Sequence, residues 1–418
     1  MRIGGGRTNV WGRVTLRYSD LDLKAASLDG FGQDWPVTYK DIAPYYDLVE
    51  KYVGVAGRVE GLEQLPDGVF QPDMALTCME TLLREKVKAK LGWMVTPTRT
   101  ANITKPLNGR APCHYCGPCE RGCVTHSYFN SAFTTVPDAL KTGRCAYIPN
   151  AMVCKVLMDP DGNRARGILY IDRNTRRQRE VKARAVILGA QALESVRILL
   201  NSSSRRHPNG LANSSGVVGH YLMDHVKGVG ATGEFPQVPS GKLSLSRPNR
   251  PCGIYIPRFR NLARGPRSKN FLRGYGYQGS GAPRFNQEAA GFGKSFESRI
   301  REPVNRLSLE AFAECLPRWE NYVEIDSNVA DTYGIPVLRF HMKHGDNEFT
   351  MMKDAEQSAA EMLEAGDAKN IQPYFRPSGP GGVRHEVGVA RMGNNPKTSA
   401  LNQFQQSHDI RNLFVMDA

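Results

Sequence analysis

The segment from Glu180 to Asn201 constrains this chain more than any other. An apolar run, Ala185 to Leu193, is broken only by Gly189-Ala190 and then continues with helical spacing through Asn201. Strand, small-residue turn and helix make a β-α unit, and the turn of such a unit is where backbone N–H groups reach a cofactor. The run is about half the roughly 20 residues that a membrane-spanning helix needs, so a spanning segment is not expected.

Other stretches call for a different architecture. Tyr147 to Met158 reads as a strand, Asp159-Pro-Asp-Gly162 as a turn and Ala165 to Asp172 as its hairpin partner, while Glu180 to Leu188 reads as a further strand. Short strand-like runs follow at Gly228–Phe235, Gly253–Phe259, Leu307–Glu314 and Val323–Asp326, with Pro-, Gly- and Arg-rich connections that suit an antiparallel sheet. The polar segment from about Arg260 to Arg301 reads as a surface loop or a lid. Thr38 and Asp41 can form a capping box for a helix whose Ile42, Tyr45, Tyr46, Val49 and Val53 have helical spacing, and residues 347 to 366 read as an amphipathic helix. The predicted fold class is mixed α/β (α+β): an incomplete Rossmann-like domain with an inserted antiparallel-sheet domain. Its boundaries are placed at 1–225, 226–372 and 373–418.

Length and charge narrow the function. A chain of 418 residues is long enough for two or three domains, each with its own core. The net charge of +14 arises from scattered basic residues without the aromatic interleaving of a nucleic-acid module, so no nucleic-acid partner is expected.

Four motifs carry chemistry. Ile3-Gly-Gly-Gly-Arg-Thr-Asn-Val-Trp-Gly12 is a loop of small residues that permits close approach to a flat or phosphorylated ligand, with Asn9 and Trp11 offering a hydrogen bond and a ring wall. Gly219-His220-Tyr-Leu-Met-Asp224-His225 and Arg384-His385-Glu-Val-Gly388-Val-Ala-Arg391-Met-Gly393 follow, the latter ahead of Asn412-Leu-Phe-Val-Met-Asp417. His220 and His225 flank a domain junction, where packing or hydrogen bonding is the expected role. His126, His207 and His408 have no motif around them. Cys113-His-Tyr-Cys116-Gly-Pro-Cys119-Glu-Arg-Gly-Cys123 has the spacing of a ferredoxin run with Val124 in place of proline. A disulfide or a plain loop of free thiols is the alternative.

In these motifs the chain resembles the glucose-methanol-choline (GMC) oxidoreductase family of flavoproteins. The resemblance rests on Gly5–Gly12, Asp34-Trp35-Pro36, Tyr45-Tyr46, Leu188–Leu200, Val218–His225 and His385–Gly393. It implies FAD as cofactor, His385 as the catalytic base, and oxidation of a CH–OH group of a sugar, polyol or other alcohol with hydride passing to flavin N5. By motif position it implies cofactor contacts from Gly5, Gly6, Asn9, Trp11, Val153, Gly189, Ala190 and Asp417. A branch with gluconate and fructose dehydrogenases carries a 3Fe-4S cluster on C-x5-C-x3-C, the spacing of Cys113, Cys119 and Cys123, with Cys116 additional. That branch implies electron transfer to a cytochrome c or small accessory subunit and a periplasmic parent protein, with the cytoplasm as the alternative. The competing enzyme is a pyranose-oxidase-like sugar oxidase without a cluster. The non-enzymatic alternative is an incompetent fragment, because no G-x-G-x-x-G precedes Gly4 and the family's second catalytic His or Asn does not follow Asp417.

Overall fold

The computed structural model describes every residue except 1, 2, 118, 239–249, 286–290, 302 and 418. In chain order the early helices are α1 (Asp20–Leu23), α2 (Ala25–Asp29), α3 (Tyr39–Val53) and α4 (Cys78–Leu91), followed by strand β1 (Thr96–Pro97) and α5 (Thr135–Lys141). Next come β2 (Ala151–Met158), β3 (Ala165–Asp172), β4 (Gln178–Lys182), β5 (Val186–Leu188) and α6 (Ala192–Asn201). The remainder is β6 (Val229–Glu234), β7 (Ile254–Ile256), β8 (Tyr275–Phe285), α7 (Gly293–Arg301), β9 (Pro303–Ala313), β10 (Tyr322–Ala330), β11 (Pro336–His341), α8 (Asp346–Ala365), β12 (Lys369–Phe375) and β13 (Leu413–Val415). Among the described residues no helix is long and apolar enough to cross a membrane.

The β-α unit forms as its sequence requires, but its strand is shorter than the apolar run. The stretch from 180 to 188 serves two sheets. β4 closes the antiparallel sheet β2-β3-β4, and β5 pairs in parallel with β13, Val186 opposite Leu413 and Leu188 opposite Val415. Asn412 holds the crossing: its Nδ2 donates to the carbonyls of Ala165 (2.7 Å) and Arg184 (2.8 Å), and its Oδ1 accepts from Ala165 N (2.9 Å). A parallel pair needs a long crossover, and the β5–α6 unit supplies its beginning. Val186, Leu188, Val196, Leu199, Leu413 and Val415 make the buried core here.

A second core lies under a six-stranded antiparallel sheet of order β1-β7-β8-β9-β6-β12. α8 presents Met351, Met352, Ala355, Ala359, Met362 and Leu363 to it, all at most 1% exposed, and α4 adds Leu83 and Val87. Each fully buried Leu or Met contributes roughly 1.5–3 kcal/mol, so this face, not helix propensity, holds α8 in place. Part of the stretch read as a loop or lid at 260–301 belongs to this sheet: β8 spans Tyr275–Phe285 and buries Tyr275 and Tyr277 in the core, α7 occupies Gly293–Arg301, and 286–290 lie outside the described residues. Its glycines permit that role, because a Cβ at Gly279 would stand 2.5 Å from the Ser308 carbonyl of β9.

The capping box of α3 is present, Thr38 N and Oγ1 donating to Asp41 Oδ2 at 2.8 and 2.7 Å. Its buried face differs from the apolar stripe in the sequence. Tyr45 and Val49 are exposed, and Glu50 is buried instead, paired with the buried Arg17. The strand expected from Tyr147 starts at Ala151, after Asn150 adopts a left-handed conformation with φ 57°.

Candidate active site

Three segments distant in sequence meet around the His385 loop. The first is the glycine-rich turn. Gly5 has φ 87°, and a Cβ there would lie 2.8 Å from Asn130 Oδ1 and Asn9 Nδ2, so only glycine fits without strain. Asn9 Nδ2 donates to the carbonyls of Gly4 and Gly6, both at 2.9 Å, and its Oδ1 accepts from Asn130 Nδ2 at 2.7 Å. Ser131 N donates to Thr8 Oγ1 at 3.1 Å, and Trp11 Nε1 donates to the Phe129 carbonyl at 3.0 Å. The side chains of Asn9 and Trp11 thus fasten the turn to segment 129–131, and their polar atoms face protein partners.

The second segment is the corner between β5 and α6. Gly189 and Ala190 are exposed, with no atom within 4 Å of a Cβ placed on Gly189. Ala190 N donates to Ser195 Oγ (3.1 Å), and the Ser195 hydroxyl donates to Asp417. Burial pushes the Asp417 carboxyl above its usual range against the hydrogen bonds from Ser195, Gln191 and Ala190. Val153 lies on β2, half-buried against the same core as Leu188.

The third segment carries His385, and Asp224 shapes it. This buried carboxylate accepts four backbone N–H groups: Oδ2 from Val383 (3.0 Å) and Arg384 (3.1 Å), Oδ1 from His385 (2.8 Å) and His225 (2.8 Å). Fixing consecutive amides on one anion holds Arg384 at φ 67°, a conformation that a non-glycine residue adopts only under constraint. Gly388 follows at φ 100°, where a Cβ would stand 2.1 Å from the Tyr221 carbonyl. The loop thus packs directly on Gly219–His225, with Met223 and Val387 exchanging backbone hydrogen bonds at 3.0 Å.

Glu386 joins all three segments. Its Oε2 lies 2.8 Å from Arg7 Nη1 and accepts from Gln191 Nε2 at 3.1 Å, and Arg7 also donates to the Arg384 carbonyl. His385 itself meets His225, the two Nδ1 atoms 3.1 Å apart with the rings perpendicular. Burial and the neighbouring His385 pull the His225 pKa down to about 4. Burial also lowers that of His385, against the carboxylates of Asp224 and Glu386 and helped by Arg7 and Lys227. Both shifts favour the neutral imidazole, the form a proton acceptor requires. Arg7, Asp224, His225 and Glu386 were not singled out as site residues from the sequence. The signal for two of them was there in the Asp224-His225 pair of the second motif.

Cys113, Cys116, Cys119 and Cys123 share one loop, and none of them is in a disulfide. Burial raises Cys113 and pushes Cys119 up to about 11. Cys123 is drawn down to about 7, because hydrogen bonds from Ser127, Thr125 and nearby amides outweigh its burial. Ser127 Oγ lies 3.2 Å from Cys123 Sγ. Among the described residues no three thiols come within 4.8 Å of one another, which is single-ion spacing. The free thiols of Cys113, Cys116, Cys119 and Cys123 offer soft donors of the kind that iron–sulfur clusters and zinc take. The flavin-side residues leave room for a flat dinucleotide: a Cβ placed at Gly6 or Gly189 would meet no atom within 4 Å. A cleft of about 900 Å³ lies elsewhere, between Lys155, Asn201, His220, Tyr322 and Tyr333. The site is thus defined by convergence of motifs and not by cavity size.

Two models of one family, GMC oxidoreductase, match residues 80–227 and 317–418. The chain is 29% identical to 2-methyl-1,2-propanediol dehydrogenase of Mycolicibacterium austroafricanum, over 99% of this chain and 75% of that protein. It is 27% identical to the fructose dehydrogenase large subunit of Gluconobacter japonicus, over 98% of this chain and 74% of that one. A solved structure of a formate oxidase variant from Aspergillus oryzae, studied for FAD modification, superposes with a TM-score of 0.63 at 14% identity, covering 99% of this chain and 78% of the other.

Proposed function

The chain belongs to the GMC oxidoreductase family and is an FAD-dependent oxidoreductase of CH–OH donors, and we propose that it dehydrogenates a sugar or polyol, with His385 as the proton acceptor. The observation that carries this reading is the joining of the glycine-rich turn, the α6 corner and the His385 loop through Glu386. The named relatives act on a diol and on fructose, which supports a polyhydroxylated substrate.

Gly5, Gly6, Gly189, Ala190 and Asp417 would hold FAD, with Asn9 and Trp11 shaping the turn beneath it and Val153 backing the sheet. When bound, FAD supplies the hydride-accepting chemistry. The chain's own part is to hold a neutral imidazole ready for the hydroxyl proton, a contribution of typically 10² to 10⁴ in rate. Asp224 performs the holding, by fixing the backbone of residues 383–385.

Cys113, Cys119 and Cys123 would hold a 3Fe-4S cluster, which supplies a one-electron relay suited to a cytochrome c or small-subunit acceptor. What supports this is the C-x5-C-x3-C spacing of three free thiols. In the proposed division the flavin-binding domain takes 1–225 and 373–418 and the substrate-binding antiparallel domain takes 226–372, although α4, β1 and the end of β12 pack with the antiparallel sheet from outside those bounds.

The test is anaerobic titration of the flavin-loaded enzyme with fructose, gluconate and a 1,2-diol. Bleaching of the oxidised flavin band by at least one of them, with turnover on an artificial dye, is the expected result. Peroxide production under air at a comparable rate would make the enzyme an oxidase. No bleaching by any polyol or simple alcohol would overturn the reading.

A further inference from the structure

The contact between His225 and His385 has a consequence for which nitrogen of His385 can act. Two imidazole Nδ1 atoms 3.1 Å apart form a hydrogen bond only if one of them carries the proton. If His225 donates, His385 must carry its own proton on Nε2 and has no lone pair left for a substrate. If His385 donates, its Nε2 lone pair is free.

We propose that His225 is a positioning residue for His385: its Nδ1 accepts the His385 Nδ1–H, and this fixes the tautomer whose Nε2 takes the hydroxyl proton. The proposal rests on His385 being the base and adds the residue that sets its protonation. The step balances simply: the proton leaves the substrate oxygen for His385 Nε2, His385 becomes an imidazolium, and its Nδ1–H continues to donate to a neutral His225.

The surroundings decide that the charge stays on His385. Facing it are the carboxylates of Asp224 and Glu386, which favour the cation, and Arg7 and Lys227, which oppose it. His225 faces Asp224 and His385, and burial disfavours its charged form more strongly. Phe312 is the aromatic neighbour of both rings, its centroid 6.2 Å from that of His225 and 6.3 Å from that of His385. Asp224 cannot take the role of His225, because its oxygens are already occupied by the four amides.

The test uses the flavin-loaded enzyme and the variants H225F, H225N and H385N, each checked for flavin content and thermal midpoint. With ¹⁵N-histidine labelling, His385 in the unsubstituted enzyme should show a protonated Nδ1 and an unprotonated Nε2 at neutral pH, and H225F should show a mixture. H225F should slow flavin reduction at saturating substrate by about 10- to 100-fold with substrate affinity within about threefold, and H225N, whose amide oxygen can still accept, should recover most of the rate. The pH midpoint of reduction should move in H225F and stay near that of the parent in H225N. An unchanged His385 tautomer in H225F, with a rate within about twofold of the parent, would overturn the proposal. Flavin reduction at the parental rate in H385N would instead overturn the base assignment, and the tautomer spectra would still decide the His225 contact.

Discussion

Arg7, on the glycine-rich turn, lies 2.8 Å from the Glu386 carboxylate beside His385, a contact that spans nearly the whole chain. Glu386 is largely buried and Arg7 is 45% exposed, so solvent screens the pair. Its contribution to stability is then small, about 0–1 kcal/mol. E386A should therefore leave the melting midpoint almost unchanged while lowering kcat/KM by roughly tenfold, because the loop that aims His385 loses its tie to the turn. Thermal melts and steady-state kinetics check both halves, and a large fall in midpoint with intact kcat/KM would refute the assignment.

Replacing Asp224 should cost stability and activity together. D224N puts an amide where four backbone N–H groups expect an anion. Buried donors left without partners cost about 1–3 kcal/mol, so a clear drop in urea midpoint and a loss of flavin reduction are expected. A variant with the parental midpoint would show that the loop has another anchor.

The two glycines of the turn should differ. G5A meets three atoms within 2.9 Å at φ 87°, whereas G6A meets none within 4 Å and bears only the left-handed backbone cost of roughly 1–2 kcal/mol at φ 52°. Flavin content of the purified variants should fall far more for G5A than for G6A. Equal content would contradict the cradle.

Stability should depend on pH through His225. Its folded pKa of about 4 lies below the ordinary 6.5 because of burial and then His385, so the unfolded chain binds more protons between those values. Stability therefore rises as pH goes from about 4 to 6.5 and levels off above, and H225F should flatten much of that slope. Urea midpoints at about pH 5 and 7 measure it, and His385, shifted in the same direction, keeps a residual slope.

Iron content separates the thiols. C119S and C123S should reduce iron and acid-labile sulfide to roughly a tenth or less, because losing one of three ligands removes the site, while C116S should retain both. Chemical analysis with EPR reads this directly. Absence of iron from the parental protein would leave the loop as free thiols.

What the sequence made legible and what it hid follow from the range of each interaction. The α3 capping box, the β2–β3 hairpin and α8 depend on residues a few places apart and appear as expected. The segment at 260–301 misled because its polar, glycine-rich composition describes a loop, yet β8 uses those glycines for close approach between strands. His385 was legible as a motif. Asp224 and His225 stand in the second motif, but that they and Arg7 meet the His385 loop was not legible, because no local pattern tells which distant side chain a loop will meet.

Asn412 also bears on the order of assembly. Its bonds to Arg184 and the β5–β13 pair join positions some 228 residues apart, a closure whose entropy must be met before any contact compensates it. The antiparallel hairpins can form early and alone, but the Ala190–Asp417 corner waits for both ends of that long loop. The flavin-side corner is thus among the last parts to acquire its shape during folding. Substitutions within it should speed unfolding while leaving the refolding rate nearly untouched.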